Sequence, residues 1–331
     1  MRHALKHTAD NVVQAVARLA LEAARFAQTA ARLLGPNVLM SWRDYRDYRR
    51  GDAGHRAWTA RYVGDQAAGS PATRGGKDTN VGPAATVVLV TFNRLRMLQR
   101  CVATVLANSG DVDYELIVWD NASTDGTAAY LDSVAARDER IRVVHSPQNV
   151  GLNGVAKAVR LARGAYIVEM DDDVVEVPPG WLAEMIRSFD RVPQAGYLAA
   201  DEVRNATTSG ARSSFDQFWT IDYGDGVIVD VGWTGGWCTI TSRAVIDLIG
   251  NFKEMPGRVF YAEDWDFVLR CLRERLVVGV ITGVKVYHAT GVAENAAAGC
   301  LDVCLLKYSD GPEYRRLLES AQMALDEGLE G

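Results

Sequence analysis

The feature that most constrains this chain is a regular alternation of short apolar runs and amphipathic segments, which begins near Ala85. Continuous runs rich in Val, Ile and Leu are typical of parallel strands that are buried on both faces. Such an alternation predicts an α/β fold whose mostly parallel, doubly wound sheet is flanked by helices. The predicted strands are residues 86–92, 115–119, 141–145 and 166–170, and the helices between them are 95–108, 126–136 and 154–162.

Polar residues follow three of these strands at the point where each apolar run stops. Thr91 and Asn93 lie at the end of the first, Asp120 follows the second, and an aspartate triplet at 171–173 follows the fourth. The carboxyl ends of parallel strands meet at one edge of a sheet, where ligands bind. Adjacent carboxylates repel one another unless a cation neutralises them, and Mg²⁺ or Mn²⁺ takes such ligands together with phosphates. Taken alone, an Asp triplet is more often an acidic turn in solvent.

The composition excludes several classes of protein. With 48% hydrophobic and 24% charged residues, the chain is typical of a globular protein and not of a disordered one. Five cysteines without a CxxC pair argue against a disulfide framework and against structural zinc. The sequence has no uncharged apolar run of 18 residues and no secretory signal pattern, so we expect a cytoplasmic protein.

The charge is distributed unevenly along the chain. Residues 1–82 carry 13 Lys and Arg against 7 Asp and Glu, whereas the remainder carries 23 against 35. An acidic body lacks the basic footprint that a nucleic-acid partner requires, so we expect no such partner. The basic N-terminal part and the acidic body are predicted to have different roles.

The N-terminal part is predicted to be a helical extension over residues 1–63, followed by a Gly-, Ala- and Pro-rich linker at 64–84. Within residues 8–34, apolar residues spaced alternately by four and three form a seam over about three heptads. Residues 42–50 interleave arginines with aromatic residues. The helix is predicted to pack on its own domain or on a second copy in a homodimer. The alternative is peripheral contact of residues 8–50 with the inner face of a membrane.

Several further motifs occur downstream of the first strand in a fixed order. The motifs are Val88-Leu-Val-Thr-Phe-Asn93, Val118-Trp-Asp-Asn-Ala-Ser-Thr-Asp-Gly126, Asn149-Val-Gly151, Met170-Asp-Asp-Asp173, Gly235-Gly236-Trp237, Tyr261-Ala-Glu-Asp264 and His288. In that order and identity they resemble the family 2 glycosyltransferases over roughly residues 85–290. The Asp-Asp-Asp-Val form is similar to members that use rhamnose or galactofuranose donors.

The resemblance implies a GT-A fold and a hexosyl- or deoxyhexosyltransferase of polysaccharide biosynthesis. It implies inverting transfer from a nucleoside-diphosphate sugar to a glycan, lipid-linked or small-molecule hydroxyl, with Mn²⁺ or Mg²⁺ as cofactor. It assigns Asp264 as the catalytic base and Asp173 and His288 to the metal. The donor would contact Thr91, Asn93, Asp120, Asn149, Gly151, Asp171 and Asp172, and the acceptor Gly236, Trp237 and Glu263.

Each assigned role fits the chemistry of the side chain, but each residue also has a structural interpretation. A carboxylate such as Asp120 suits a pyrimidine N–H, and Gly151 would let backbone approach the nucleotide closely. Asp264 precedes an amphipathic run, where a carboxylate also stabilises a helix N-terminus. His288 is alternatively a buried histidine bonded to backbone, and Trp237 with its glycines is alternatively core beside a tight turn.

The domain prediction is therefore a glycosyltransferase domain at 85–295 and a helical tail at 296–331, with a variable acceptor loop at 201–226. Two other functions fit parts of the sequence. A sugar-1-phosphate nucleotidyltransferase would need a glycine-rich loop after the first strand, and residues 91–95 contain no glycine. A non-catalytic relative that binds a nucleotide-sugar or a glycan would not need both Asp173 and Asp264.

Overall fold

The computed structural model describes residues 82–204, 218–260, 263–300 and 302–303. The predicted N-terminal extension and nearly all of the linker at 64–84 lie outside these residues. So do the middle of the predicted loop at 201–226 and the larger part of the predicted tail at 296–331. Within the described ranges, we find no helix that combines the length and apolar character needed to cross a lipid bilayer.

Strands and helices alternate from the start of the described region, as the hydrophobic pattern predicts. The strands are β1 (Ala85–Thr91), β2 (Tyr114–Asp120), β3 (Ile141–His145), β4 (Tyr166–Asp171), β5 (Val174–Glu176), β6 (Ala195–Glu202), β7 (Trp219–Asp222), β8 (Ile228–Val231), β9 (Cys238–Ser242) and β10 (Val277–His288). The helices are α1 (Leu95–Asn108), α2 (Thr127–Ala135), α3 (Asn153–Leu161), α4 (Trp181–Arg191), α5 (Arg243–Ile249), α6 (Glu263–Arg273) and α7 (Val292–Ala297).

One sheet runs through the described residues in the order β3-β2-β1-β4-β9-β6-β10-β8-β7, and β5 pairs with β10. The first four strands of this order are parallel to one another, as are β6 and β10. This arrangement confirms the predicted α/β class and its parallel strands. The order reverses at β1, which lies between β2 and β4, and such a reversal is where an open α/β sheet forms a ligand crevice.

The second half of the sheet contains antiparallel strands that the sequence pattern does not reveal. Strand β9 lies between β4 and β6 and is antiparallel to both, and β8 is antiparallel to β10. Buried apolar side chains of β1, β2 and β4 and the inner faces of the helices form one continuous core. The core therefore holds the carboxyl ends of β1, β2 and β4 rigidly at one edge.

Strand β10 is long and irregular, and its path determines where its last residue lies. Its pairing with β6 slips between Ile281 and Lys285, which pair with the consecutive residues Ala200 and Asp201. Beyond this irregularity the strand continues to His288, which pairs with Val174 on β5. The Ala289 N–H donates to the Asp173 carbonyl at 2.8 Å. The end of β10 is thereby fixed beside the aspartate triplet.

Candidate active site

Three potential metal ligands converge at the carboxyl edge of the sheet. One ligand atom each from Asp171, Asp173 and His288 lies within 4.8 Å of the other two. Asp171 is partly exposed at the end of β4, whereas Asp173 and His288 are buried. The Nε2 atom of His288 lies 3.0 Å from Asp173 Oδ1 and 3.3 Å from Asp171 Oδ2. Two carboxylates and an imidazole with one open side fit a divalent cation that also binds phosphate oxygens.

A buried carboxylate orients the histidine from behind. Glu202, at the end of β6, places Oε1 2.8 Å from the Nδ1 atom of His288. Burial alone would lower the pKa of the imidazole, but Asp173, Asp171 and Glu202 together raise it well above its ordinary value. Carboxylate–histidine pairs of this kind set the tautomer and direction of a metal-ligating ring. Glu202 was not predicted as a site residue, because no strand was predicted before it.

The remaining oxygens of the triplet belong to a buried ion-pair network. The Arg94 guanidinium contacts Asp172 Oδ1 and Asp173 Oδ2, each at 2.6 Å. The Thr91 hydroxyl donates to Asp172 Oδ2 at 2.7 Å. Thr91 and Asp172 were assigned to the donor on resemblance, yet the structure places both side chains in this interior network with protein partners. Arg94, which had no predicted role, is a buried cation that bridges Asp172 and Asp173.

The predicted base-binding residues lie together at the ends of β1 and β2. Asp120 is buried, and its Oδ1 accepts the Ser123 N–H at 3.0 Å while its Oδ2 lies 3.1 Å from His145 Nδ1. Asn93 adopts a positive φ of 51° and accepts the Thr124 N–H at 2.6 Å. These contacts bring the residue 93 turn against the loop after β2. The carboxylate of Asp120 is thus held in one orientation at the crevice.

Gly151, predicted to let backbone approach the nucleotide, lies against another segment of the chain. Its φ is +58°, and a Cβ at this position would lie 1.7 Å from the carbonyl oxygen of Val259. The backbone that approaches this glycine is therefore the chain's own segment before α6. Asn149 Oδ1 accepts the Gly151 N–H at 2.8 Å, so it shapes the same loop. Asn153 then ties the loop to the Arg258 carbonyl at 2.8 Å.

Asp264, the predicted catalytic base, lies in the first turn of α6. Its Oδ2 accepts the Gly236 N–H at 3.2 Å and its Oδ1 accepts the Trp265 N–H at 2.7 Å. Burial, together with the nearby charge of Asp171, raises the pKa of the Asp264 carboxyl to about 6. A Cβ on Gly235 would lie 3.1 Å from Asp264 Oδ2, so the absence of a side chain leaves room beside the carboxylate.

Asp264 is connected to Asp171, one of the metal candidates, through backbone hydrogen bonds of two neighbouring residues. The Asp171 N–H donates to the Trp237 carbonyl at 2.9 Å, and the neighbouring Gly236 N–H donates to Asp264. The start of β9 therefore joins the end of β4 to the first turn of α6. This geometry places a candidate base and a candidate metal centre on either side of one backbone segment.

Further acidic groups lie buried behind Asp264. Glu169 on β4 accepts the Tyr197 hydroxyl at 2.5 Å, and burial raises the pKa of its carboxyl well above the ordinary value. Burial also raises the pKa of Glu263, which was assigned to the acceptor on resemblance and is 7% exposed. The sequence analysis missed Glu169 and Tyr197, since an isolated acid within an apolar strand gives no pattern.

Trp237 is a core residue in this structure. Its side chain is 1% exposed, and its indole N–H donates to the Ala200 carbonyl at 2.9 Å. The prediction that Trp237 offers an aromatic face to an acceptor is therefore not supported by its position. The partly exposed aromatic pair beside the base is instead Trp233 and Trp265, whose ring centroids are 4.9 Å apart in an edge-to-face arrangement.

Comparisons with known proteins bear on this site. Residues 86–226 match the family described as Glycosyl transferase family 2. The uncharacterized protein y4gI of Sinorhizobium fredii is 31% identical over 201 residues, which cover 58% of this chain and 20% of that protein. A chondroitin synthase of Escherichia coli is 34% identical over 92 residues, which cover 28% of this chain and 13% of that protein. The chain thus spans a fifth or less of the length of these curated relatives.

Among solved structures, the chain is similar to the mannosyltransferase PcManGT from Pyrobaculum calidifontis, determined in complex with GDP-Man and Mn²⁺. The identity is 16%, the TM-score is 0.46, and the match covers 83% of this chain and 86% of that one.

Proposed function

We propose that this chain, which carries a glycosyl transferase family 2 domain in residues 86–226, moves a sugar from a nucleoside-diphosphate sugar to a hydroxyl group with inversion. The observation that carries this proposal is the cluster of Asp171, Asp173 and His288, in which Asp171 is linked to Asp264 through residues 236–237, just before β9. An inverting transfer needs a charge-stabilising group on the leaving-group side and a base on the acceptor side.

Asp171, Asp173 and His288 would hold the divalent cation, with Glu202 orienting the histidine. A bound cation acts as a Lewis acid that stabilises the negative charge developing on the departing diphosphate. Mg²⁺ prefers oxygen ligands alone, so an imidazole in the set favours Mn²⁺. Arg94 contributes by keeping the second oxygen of Asp173 occupied, which leaves Oδ1 facing His288.

Asp264 is the group we propose to accept the proton of the attacking hydroxyl. A pKa of about 6 leaves this carboxylate largely ionised near neutral pH while making it a stronger base than an ordinary aspartate. Its two backbone hydrogen bonds, from Gly236 and Trp265, fix the carboxylate direction. The glycines at 235 and 236 leave space beside it for an acceptor, and Trp233 with Trp265 offers aromatic edges there.

Asp120 is proposed to accept a hydrogen bond from the base of the donor. A carboxylate can accept the ring N–H of uracil, thymine or guanine, but it faces a lone pair at the equivalent atom of cytosine. We therefore expect UDP, dTDP or GDP to bind more tightly than CDP. Since one relative is a chondroitin synthase, we place the acceptor among growing glycans and the chain in polysaccharide biosynthesis.

Thermal unfolding with a panel of nucleoside diphosphates, with and without Mn²⁺, tests this function. A ligand that binds only the folded state raises the melting temperature by mass action. We expect a Mn²⁺-dependent rise that Asp171→Asn removes and Asp264→Asn retains. Consumption of a nucleotide-sugar donor should be lost in both variants. A panel in which no nucleotide raises the melting temperature contradicts the proposal.

A further inference from the structure

His145, the last residue of β3, lies between two carboxylates from different elements. Its Nδ1 atom is 3.1 Å from Oδ2 of Asp120 at the end of β2, and its Nε2 atom is 3.0 Å from Oδ1 of Asp132 on α2. The Asp120 side chain is 2% exposed, whereas those of His145 and Asp132 are 40% and 71% exposed. A buried carboxylate at the crevice is thereby linked through one ring to the surface.

Both contacts can be hydrogen bonds only when the ring is charged. A neutral imidazole has a single N–H and one lone pair, so it can donate to one carboxylate at most, whereas the imidazolium donates from both nitrogens. Hydrogen bonding to Asp132, opposed by partial burial and supported by Asp120, raises the pKa of the His145 ring above its ordinary value. The arrangement is thus one that stabilises the protonated ring near neutral pH.

We propose that His145 is a positioning residue for donor recognition, which as an imidazolium holds Asp120 in the orientation that accepts the N–H of the donor base. The inference rests on the proposed function, because it takes Asp120 as the base-binding group. The Ser123 N–H pins one oxygen of Asp120 and the ring pins the other, so each oxygen keeps a lone pair for a ligand.

Loss of the ring proton weakens this support in two ways. The neutral ring has one N–H for two carboxylates, and whenever its proton is on Nε2, facing Asp132, the Nδ1 atom turns a lone pair toward Asp120 and no longer donates to it. The nearby positive charge that favours a diphosphate-bearing ligand also disappears. Nucleotide affinity should therefore be highest below the pKa of His145 and fall as the pH rises through it.

The exposed residue Asp132 allows this pKa to be changed without touching the crevice. Asp132→Asn removes one of the two carboxylates, so the pKa of His145 should decrease and the fall in affinity should occur at lower pH. His145→Asn gives a complementary control, because its amide can donate to Asp120 at every pH. The amides introduced by the two substitutions carry no charge at any pH.

The experiment measures, by titration calorimetry with Mn²⁺, the Kd of whichever of UDP, dTDP and GDP binds most tightly, from pH 6 to 9. In the wild-type protein we expect Kd to rise about fivefold across the pKa of His145, a size typical of one orienting hydrogen bond. Asp132→Asn should shift the midpoint of this rise to lower pH, and His145→Asn should remove it. In transfer assays the donor KM should follow the same pattern while kcat does not.

Identical pH profiles for the three proteins overturn the role of His145, whatever part of the profile arises from metal binding at His288. An NMR titration of the His145 ring, with no nucleotide present, reports its pKa directly in the wild-type and Asp132→Asn proteins. Equal ring pKa values in the two proteins also overturn the inference. Absence of nucleotide binding in every variant, with a ring pKa that does shift, contradicts the proposed function instead.

Discussion

The raised pKa of Asp264 affects both its proposed role as a base and the stability of the fold. Its folded-state pKa of about 6 exceeds the ordinary value of 3.8, so the folded protein binds this proton more tightly than the unfolded chain does. The corresponding stabilisation is fully present below the ordinary value and is lost as the pH rises through about 6. Above that pH the ionised group destabilises the fold, as expected for a carboxylate whose charge is desolvated by burial.

Asp264→Asn is therefore expected to stabilise the protein while abolishing transfer. At pH 8 the amide avoids the burial of a charge, and we expect the melting temperature to rise by about 3 °C. At pH 4.5 the carboxyl of the folded wild-type protein is largely protonated, so the difference should be much smaller. Loss of a general base should reduce kcat by about 10²-fold or more. Equal melting temperatures at both pH values would show that the carboxyl is not destabilised by burial.

Glu202 provides a second prediction at the scale of single residues. Glu202→Gln removes the negative charge behind His288 but keeps a hydrogen-bond acceptor, so Mn²⁺ affinity measured by electron paramagnetic resonance should fall about tenfold. Asp201→Asn is a matched control, because the neighbouring Asp201 lies 3.5 Å from Lys285. If the two variants bind Mn²⁺ equally, Glu202 does not orient the histidine.

At the scale of elements, the loop at Gly151 and the segment before α6 behave as one unit. The Leu152 N–H donates to the Val259 carbonyl at 2.9 Å, and Asn153 bonds both Met255 and Arg258. The segment before α6 is thus anchored on the loop that follows β3. Substitutions in the loop at Gly151 should therefore alter the position of Asp264.

Gly151→Ala tests this connection. A Cβ would meet a backbone carbonyl at 1.7 Å, which no side-chain adjustment relieves, so we expect a loss of about 2–4 kcal/mol in the free energy of unfolding. Gly110→Ala is the control: its φ of +64° is similar, but no atom lies within 4 Å of its Cβ. That variant should lose only about 1 kcal/mol. Equal losses in urea denaturation would contradict a tight contact at Gly151.

Local patterns were sufficient for the parallel half of the sheet and for part of the site. The predicted strand 141–145 and helix 95–108 coincide with β3 and α1, because both are bounded by polar residues and have unambiguous periodicity. The structure also brings together Asp173 and His288, which the resemblance assigned to a metal, and adds Asp171, which the resemblance had placed with the donor. Motif order captures such residues even when they are far apart in the chain.

What could not be predicted depends on contacts between distant parts of the chain. Arg94 contacts Asp173, and Glu202 contacts His288. The residues that neighbour Arg94 and Glu202 in the sequence give no indication of these partners. Trp237 was assigned to the acceptor pocket because nothing in the sequence around a tryptophan beside glycines indicates that it is buried. The antiparallel strand β9 was missed since its position depends on β4 and β6.

For the whole molecule, every site residue described here lies between residues 91 and 288, whereas the basic N-terminal part has a separate predicted role. We expect deletion of residues 1–63 to leave Mn²⁺-dependent nucleotide binding unchanged. Either the number of chains per particle in solution or the binding to anionic liposomes should decrease. Light scattering and liposome sedimentation measure these two properties. No change in either would indicate that the extension packs only within its own chain, and loss of nucleotide binding would show that it supports the domain.

The slip in the pairing of β10 with β6 has a consequence for how this sequence can vary in length. Residues 282–284 form an excursion between two paired stretches, so a residue gained or lost there changes only the size of the excursion. The same change between residues 285 and 288 would bring Tyr287 or Ala289 to the place of the imidazole and reverse which side chains face each side of the strand. Insertions and deletions among sequences of this type should therefore accumulate within the excursion and be absent from the four residues after it.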